Sequence, residues 1–136
     1  MNFNEFWKTY KRCRRQKRSG LDFPVFTKIH GVKTHDRQGA LAQSEKGDRL
    51  QFVHVPTPDY PSNTYVYSIP LNRVLGYLDK ELAEKLLYIF GDGFCLDGTI
   101  DKIIGGPPMK YRGALISVRD DNVFMENIDV SSLYEQ

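Results

Sequence analysis

The chain has 136 residues, 40% of them hydrophobic and 26% charged, a balance that suits one globular domain with a core built without disulfides. Two cysteines, Cys13 and Cys95, are too few for a metal cluster or a disulfide framework, and the longest apolar run, Leu86–Phe90, is too short to span a bilayer. The net charge of +2 hides an asymmetry, because residues 1–20 hold seven bases against one acid (+6) and residues 21–136 hold twelve against sixteen (−4).

Residues 1–20 read as a basic amphipathic helix. Phe3, Phe6, Trp7, Tyr10 and Cys13 recur at helical spacing, Asn2 or Asn4 is placed to cap the start, and Gly20 is placed to end it. Lys8, Lys11, Arg12, Arg14, Arg15, Lys17 and Arg18 crowd its C-terminal half, where they complement the helix dipole. Two readings stay open: a phosphate-binding arm, or an appended helix whose aromatic face docks on the domain while its bases face water. An import signal or a membrane-surface helix would share this composition. No secretory signal pattern opens the chain, so a reduced, cytoplasmic setting is expected.

After Leu21 the pattern changes to short runs rich in Val, Ile, Tyr and Phe. Six such runs, residues 25–32, 49–55, 64–69, 73–78, 99–104 and 111–118, predict six strands. Pro56, Pro58, Pro61 and Asn63 break the chain between the second and third, and Gly105–Pro108 does so before the sixth. A short helix or turn is expected over Asp36–Gln43. One helix is unambiguous: Asp79 caps it, Leu82, Ala83, Leu86, Ile89 and Phe90 form its apolar face, Glu81 and Lys85 pair at i,i+4, and Gly91 stops it. Residues 120–136, with five acids, read as a loosely docked acidic tail. The division is therefore a basic helix (1–20), a mainly β domain of α+β class (21–119) and the tail. Strands this short and numerous favour a small six-stranded β-barrel, because closure removes exposed edges.

The usual catalytic patterns are missing. His30 and His54 fall inside predicted strands, where a histidine is expected to be half-buried and hydrogen-bonded. There is no His-Glu-x-x-His, nucleophile elbow or Walker loop, and Gly91, Gly93 and Gly98 follow a helix rather than a strand, against a dinucleotide loop. The acids show no grouping that would hold a nuclease's metals. No catalysis, cofactor or metal is expected. What remains is recognition chemistry, with bases and aromatics interleaved at Lys28, Lys33, His35 and Arg37 and around Tyr60, Tyr65, Tyr67, Tyr77 and Lys80. Rings offer stacking faces and cations hold phosphates, the combination used by single-strand binders on small barrels.

Three segments, taken in order, resemble a HIRAN domain, a module of certain Swi/Snf-class DNA translocases and of small stand-alone bacterial proteins. Residues 29–38 (Ile-His-Gly-Val-Lys-Thr-His-Asp-Arg-Gln), with the Gly47-Asp48-Arg49-Leu50-Gln51-Phe52 that follows, are similar to the family's opening strand, its Gly-Arg-Gln turn and the Gly-Asp before its second strand. Asp36 stands where bacterial members often have Gly. Pro58-Asp59-Tyr60-Pro61-Ser62-Asn63-Thr64-Tyr65-Val66 resembles the family's Asn-Pro-Tyr-Asp-x-Asn segment. Val74-Leu75-Gly76-Tyr77-Leu78-Asp79-Lys80-Glu81-Leu82-Ala83 resembles its Gly-His/Tyr-Leu/Ile strand leading into a helix. The likeness covers roughly residues 25–104.

The resemblance implies an OB-like barrel that binds single-stranded DNA, in translocase members at a free 3′ end. Its binding positions fall on Lys33, His35, Arg37, Tyr60, Asn63 and Lys80, with Tyr111 as a late aromatic. Asn63 has an equally good structural role in holding its loop. Lys80 would sit beside a helix N-terminus, where backbone N–H groups also favour phosphate. Pro61 replaces the family's Asp, with Asp59 one residue early, so strict dependence on a free 3′ hydroxyl is not expected. The implied partners are single-stranded DNA or DNA 3′ ends and a DNA-processing protein, not a membrane, with nucleoid association if the protein is bacterial. The rival reading is a protein-interaction barrel that has kept this fold and lost the DNA site.

Overall fold

A computed structural model describes residues 2–122, and the acidic segment beyond residue 122 lies outside the described residues. The order of elements is α1 (Phe3–Ser19), β1 (Val25–Lys28), α2 (His35–Ala42), β2 (Arg49–His54), β3 (Thr64–Ser68), β4 (Arg73–Tyr77), α3 (Lys80–Phe90), β5 (Cys95–Gly105) and β6 (Arg112–Asn122).

The helices start and stop where local chemistry dictates. Asn2 and Glu5 form a reciprocal capping box on α1, and Gly20 ends it in the left-handed region at φ 75°. Thr34 caps α2 by accepting from the Arg37 N–H, and Asp79 caps α3 by accepting from the Leu82 N–H. Glu81 and Lys85 pair at 3.6 Å on the outer face of α3.

The six strands form one antiparallel sheet in the order β1-β6-β5-β2-β3-β4. In that order β1 and β4 are the edges, so the ladder itself does not close into the expected barrel. A single antiparallel bridge spans the two edges just past β1, where His30 and Tyr77 exchange both backbone hydrogen bonds at 2.9 Å each. β5 and β6 are longer than their apolar runs, at 11 residues each. Within β5, Gly98 is pinned between the Ser117 carbonyl and the Phe52 ring, a close approach that only a glycine permits. Register shifts at Leu96/Gly98 and Ile100/Lys102 bend this long hairpin. Asp120, the expected start of the tail, is still within β6.

The main core lies between one face of the sheet and the inner faces of α2 and α3. Ile29, Leu50, Phe52, Leu75, Leu86, Leu96, Ile100 and Ile116 are essentially fully buried there. Val53, Val55, Tyr67, Val74 and Cys95 make a smaller cluster on the opposite face. Burial of Cys95, reinforced by the nearby Asp97 carboxylate, pushes its thiol up to about 12.

α1 is attached differently from the docked aromatic face expected of an appended helix. None of its residues is buried, and Phe3, Phe6, Trp7 and Tyr10 are all exposed. Two of its cations dock instead. Arg15 donates to the Ile89 carbonyl at 3.2 Å, and the Arg12 guanidinium lies 5.7 Å from the centre of the Phe90 ring. The last carbonyls of α3 carry the negative end of its dipole, so guanidinium groups are the favoured contact there and the rings are left outward.

Candidate nucleic-acid interface

The bridge between His30 and Tyr77 sets the geometry of the candidate site. It brings the turn after β1 against the end of β4, close to where α3 begins and where the loop before β3 passes. Between these segments lies a cleft of about 340 Å³, lined by His30, Tyr60, Ser62, Asn63, Tyr77 and the Leu78–Lys80 start of α3.

Tyr60 sits on a tight turn in which it and Thr57 exchange backbone hydrogen bonds and its amide also bonds the Thr57 hydroxyl. The turn presents the ring outward, 58% exposed. Asn63 serves the loop: its side chain donates to the Val55 carbonyl at 3.0 Å, and its amide donates to the Tyr60 carbonyl at 3.0 Å. Its structural role is therefore plain, although it also borders the cleft. Lys80 is exposed and lies 3.9 Å from Glu84, an i,i+4 contact too open to immobilise it. Lys80 opens α3 as expected, and the Asp79 carboxylate accepts from one first-turn amide, the Leu82 N–H, at 3.2 Å.

Tyr77 belongs to the same site. Its ring fills the space beside Gly31, which adopts φ 67°, and the Arg37 guanidinium lies 5.9 Å from the ring centre while donating to the Gly31 carbonyl at 2.8 Å. Arg37 thus adjoins the cleft through Tyr77.

Lys33 and Tyr111 form a second cluster beside the first. The Lys33 and Lys110 ammonium groups each lie 5.3 Å from the centre of the Tyr111 ring. Gln38 stitches this cluster to the turn. Its side chain donates to the Val32 and Arg112 carbonyls at 2.7 and 2.9 Å and accepts from the Arg112 N–H at 2.9 Å. His35, at the first position of α2, is exposed and lines neither cluster. Tyr60, Asn63 and Lys80 are therefore brought together, Arg37 adjoins them, Lys33 and Tyr111 form a neighbouring pair, and His35 stands apart.

The histidines divide. His54 is buried, stacked on Phe94 with centroids 5.5 Å apart. Its Nδ1 accepts from the Gly93 N–H at 2.8 Å, an assignment that leaves Nε2 to donate to the Pro61 carbonyl at 2.7 Å. His30 departs from the half-buried expectation. It is exposed and borders the cleft, because only its backbone joins β4.

His30, Asp79 and Gln38 were not singled out from the sequence as site residues, and Tyr77 was named only as one of several interleaved rings. The signal for His30 and Tyr77 was the glycine beside each, since a glycine in a strand marks a close backbone approach. Among the described residues no group of three or more His, Cys, Asp or Glu side chains is arranged to hold a metal ion, and no helix is long and apolar enough to cross a membrane. No protein-family model, curated protein or solved structure matches the chain.

Proposed function

We propose that the chain is a HIRAN-like module that binds single-stranded DNA without catalysis of its own. The observation that carries this reading is the cleft in which two exposed tyrosine rings, Tyr60 and Tyr77, are flanked by Lys80 and Arg37. Bases stack on rings regardless of sequence, and cations hold the phosphates between them. The Lys33–Tyr111–Lys110 cluster repeats the same chemistry beside it. The His30–Tyr77 bridge supports a barrel reading of the sheet, since one more paired residue on each side would join β1 to β4. The three segments on which the HIRAN resemblance rests are the ones that surround the cleft.

Titration of fluorescent dT oligonucleotides at two salt concentrations tests the reading. A single-strand binder shows an affinity that falls linearly in log[salt] and is weakened by Tyr60→Ala. An absence of affinity at low salt would sink it and favour the protein-interaction barrel. The acidic balance of residues 21–136 and the Asp79 carboxylate in the cleft are the features that suit that rival.

A further inference from the structure

We infer that the outward stripe of α1 is a second surface for single-stranded DNA, separate from the cleft and placed at the other end of α3. The rings of Phe3, Trp7 and Tyr10 follow one another along this stripe. Phe3 and Trp7 have centroids 6.4 Å apart and planes within 6°, and Trp7 and Tyr10 have centroids 5.6 Å apart and planes within 19°. Cations accompany the rings: the Lys11 ammonium lies 5.4 Å from the centre of Trp7, and the Arg14 guanidinium 5.8 Å from that of Tyr10. Tyr88 of α3 forms the far wall of a groove of about 270 Å³ against Trp7, Tyr10, Arg14 and Arg18.

Three features select the occupant. Residues 1–20 carry +6 while residues 21–136 together carry −4, so the strongest concentration of positive charge available to a polyanion lies on α1. Each ring–cation pair can meet one nucleotide's base and phosphate together. Arg12 and Arg15 are held on α3, so the stripe is presented in a fixed direction rather than on a loose arm. An anionic membrane suits the stripe less well. From Phe3 to Tyr10 the rings cover only about 10 Å of helix, and Lys11 and Arg14 lie over them and would have to enter the acyl boundary or swing aside. Lys80 and Tyr88 are separated by about 12 Å of helix, a span of about four stacked nucleotides at 3.4 Å each. The choice of DNA over RNA rests on the proposed reading of the cleft; the surface itself does not.

Trp7 is the only tryptophan in the chain, so its emission reports on this stripe alone. Adding dT12 to the full chain should quench it saturably, and the quench should persist in Tyr60→Ala and Lys80→Ala, which alter only the cleft. The double variant Lys11→Ala, Arg14→Ala leaves Trp7 in place on a face without buried residues, so folding is not at stake. It should weaken the quench and lower the log–log salt slope by about 1.4, at roughly 0.7 per phosphate contact on a single strand. Emission unmoved by dT12 would overturn the inference. So would a blue shift on phosphatidylserine vesicles without a response to dT12, which would assign the stripe to a membrane surface. A stronger response to U12 than to dT12 would overturn the assignment to DNA. Should Tyr60→Ala and Lys80→Ala bind like the unmodified chain while Trp7 is still quenched, the reading of the cleft fails and this surface stands.

Discussion

The ring of Tyr77 occupies the space where a side chain at Gly31 would have to sit, and the backbone hydrogen bonds between His30 and Tyr77 hold the two segments at that separation. One residue earlier, a Cβ on Gly76 would run into the His30 carbonyl and the Ile29 side chain. Two glycines therefore let the turn after β1 close on β4, beside a bulge between Val66 and Tyr67 on the facing strand.

Gly76→Val should accordingly destabilise the domain by more than the roughly 1 kcal/mol that strand propensities span. Gly31→Ala should do so too, through both its positive φ and the Tyr77 ring. Urea unfolding checks this as a fall in midpoint without a change in slope. A neutral Gly76→Val would mean that His30 and Tyr77 do not pair in solution.

In the cleft, Tyr60→Ala should weaken single-strand binding by about 5- to 150-fold, the equivalent of roughly 1–3 kcal/mol for one stacked base. Lys80→Ala and Lys33→Ala should weaken all sequences alike and each lower the salt slope by about 0.7. Glu84→Gln, which removes the acid 3.9 Å from Lys80, should tighten binding slightly. Blocking the 3′ hydroxyl should cost less than tenfold, about 1.4 kcal/mol, if the proposed HIRAN-like reading holds, because Pro61 then stands at the position of that family's carboxylate. A larger loss in anisotropy titrations would show that another acid accepts the hydroxyl.

His54→Phe should keep the stack on Phe94 but orphan the Gly93 N–H and the Pro61 carbonyl, both of which the imidazole satisfies. Both hydrogen bonds are part-buried, and a typical one contributes about 0.5–1.5 kcal/mol net. The loop that carries Tyr60 and Asn63 should loosen as well, so DNA affinity should fall with stability. Unchanged stability on denaturant unfolding would contradict the role assigned to the imidazole.

The two thiols should react in sequence. Cys13 is exposed on α1, whereas Cys95 is buried with its pKa raised to about 12 from an ordinary value of 9.0. Native protein at pH 8 should thus take up one equivalent of a thiol reagent, and the second only on unfolding. Because the folded state holds the Cys95 proton more tightly, its contribution to stability is complete below pH 9 and is lost as pH rises from there towards 12. Cys95→Ala should flatten that alkaline loss; an unchanged alkaline profile would place the cause elsewhere.

Deleting residues 1–20 should leave the domain folded, since α1 contributes no buried side chain. With Arg12 and Arg15 engaged on α3, five bases remain for phosphates. Their loss should flatten the single-strand salt slope by at most about 3.5. Cooperative thermal unfolding and the salt series, measured on the same truncated protein, check both halves. Unfolding on deletion would assign α1 a structural role.

Local chemistry determined much of this protein. Asn2, Thr34 and Asp79 cap helices because their oxygens can reach an amide of the first turn, and Gly20 ends α1 because the left-handed region costs a glycine nothing. The runs rich in Val, Ile, Tyr and Phe set β2, β3 and β4 to within a residue, but overran β1 by four residues and stopped about four short of the far ends of β5 and β6. The exposed face of Tyr60 and the position of Lys80 were also legible, because a turn and a helix start place their side chains outward.

Only the tertiary structure decided which of these elements meet. That His30 and Tyr77 pair, that Arg37 stacks on Tyr77 rather than reaching out, and that Lys33 and Tyr111 stand together depends on segments 40 or more residues apart in the chain coming together. The fate of α1 is the clearest case. Its amphipathic pattern predicts that an aromatic face will be buried if the helix docks at all. The contact it makes is set instead by what α3 offers, a negative helix end and one ring, and these hold Arg15 and Arg12 and leave Phe3, Trp7 and Tyr10 in water. Periodicity identifies the faces of a helix; which face is covered is settled by the charge and shape of the surface it meets.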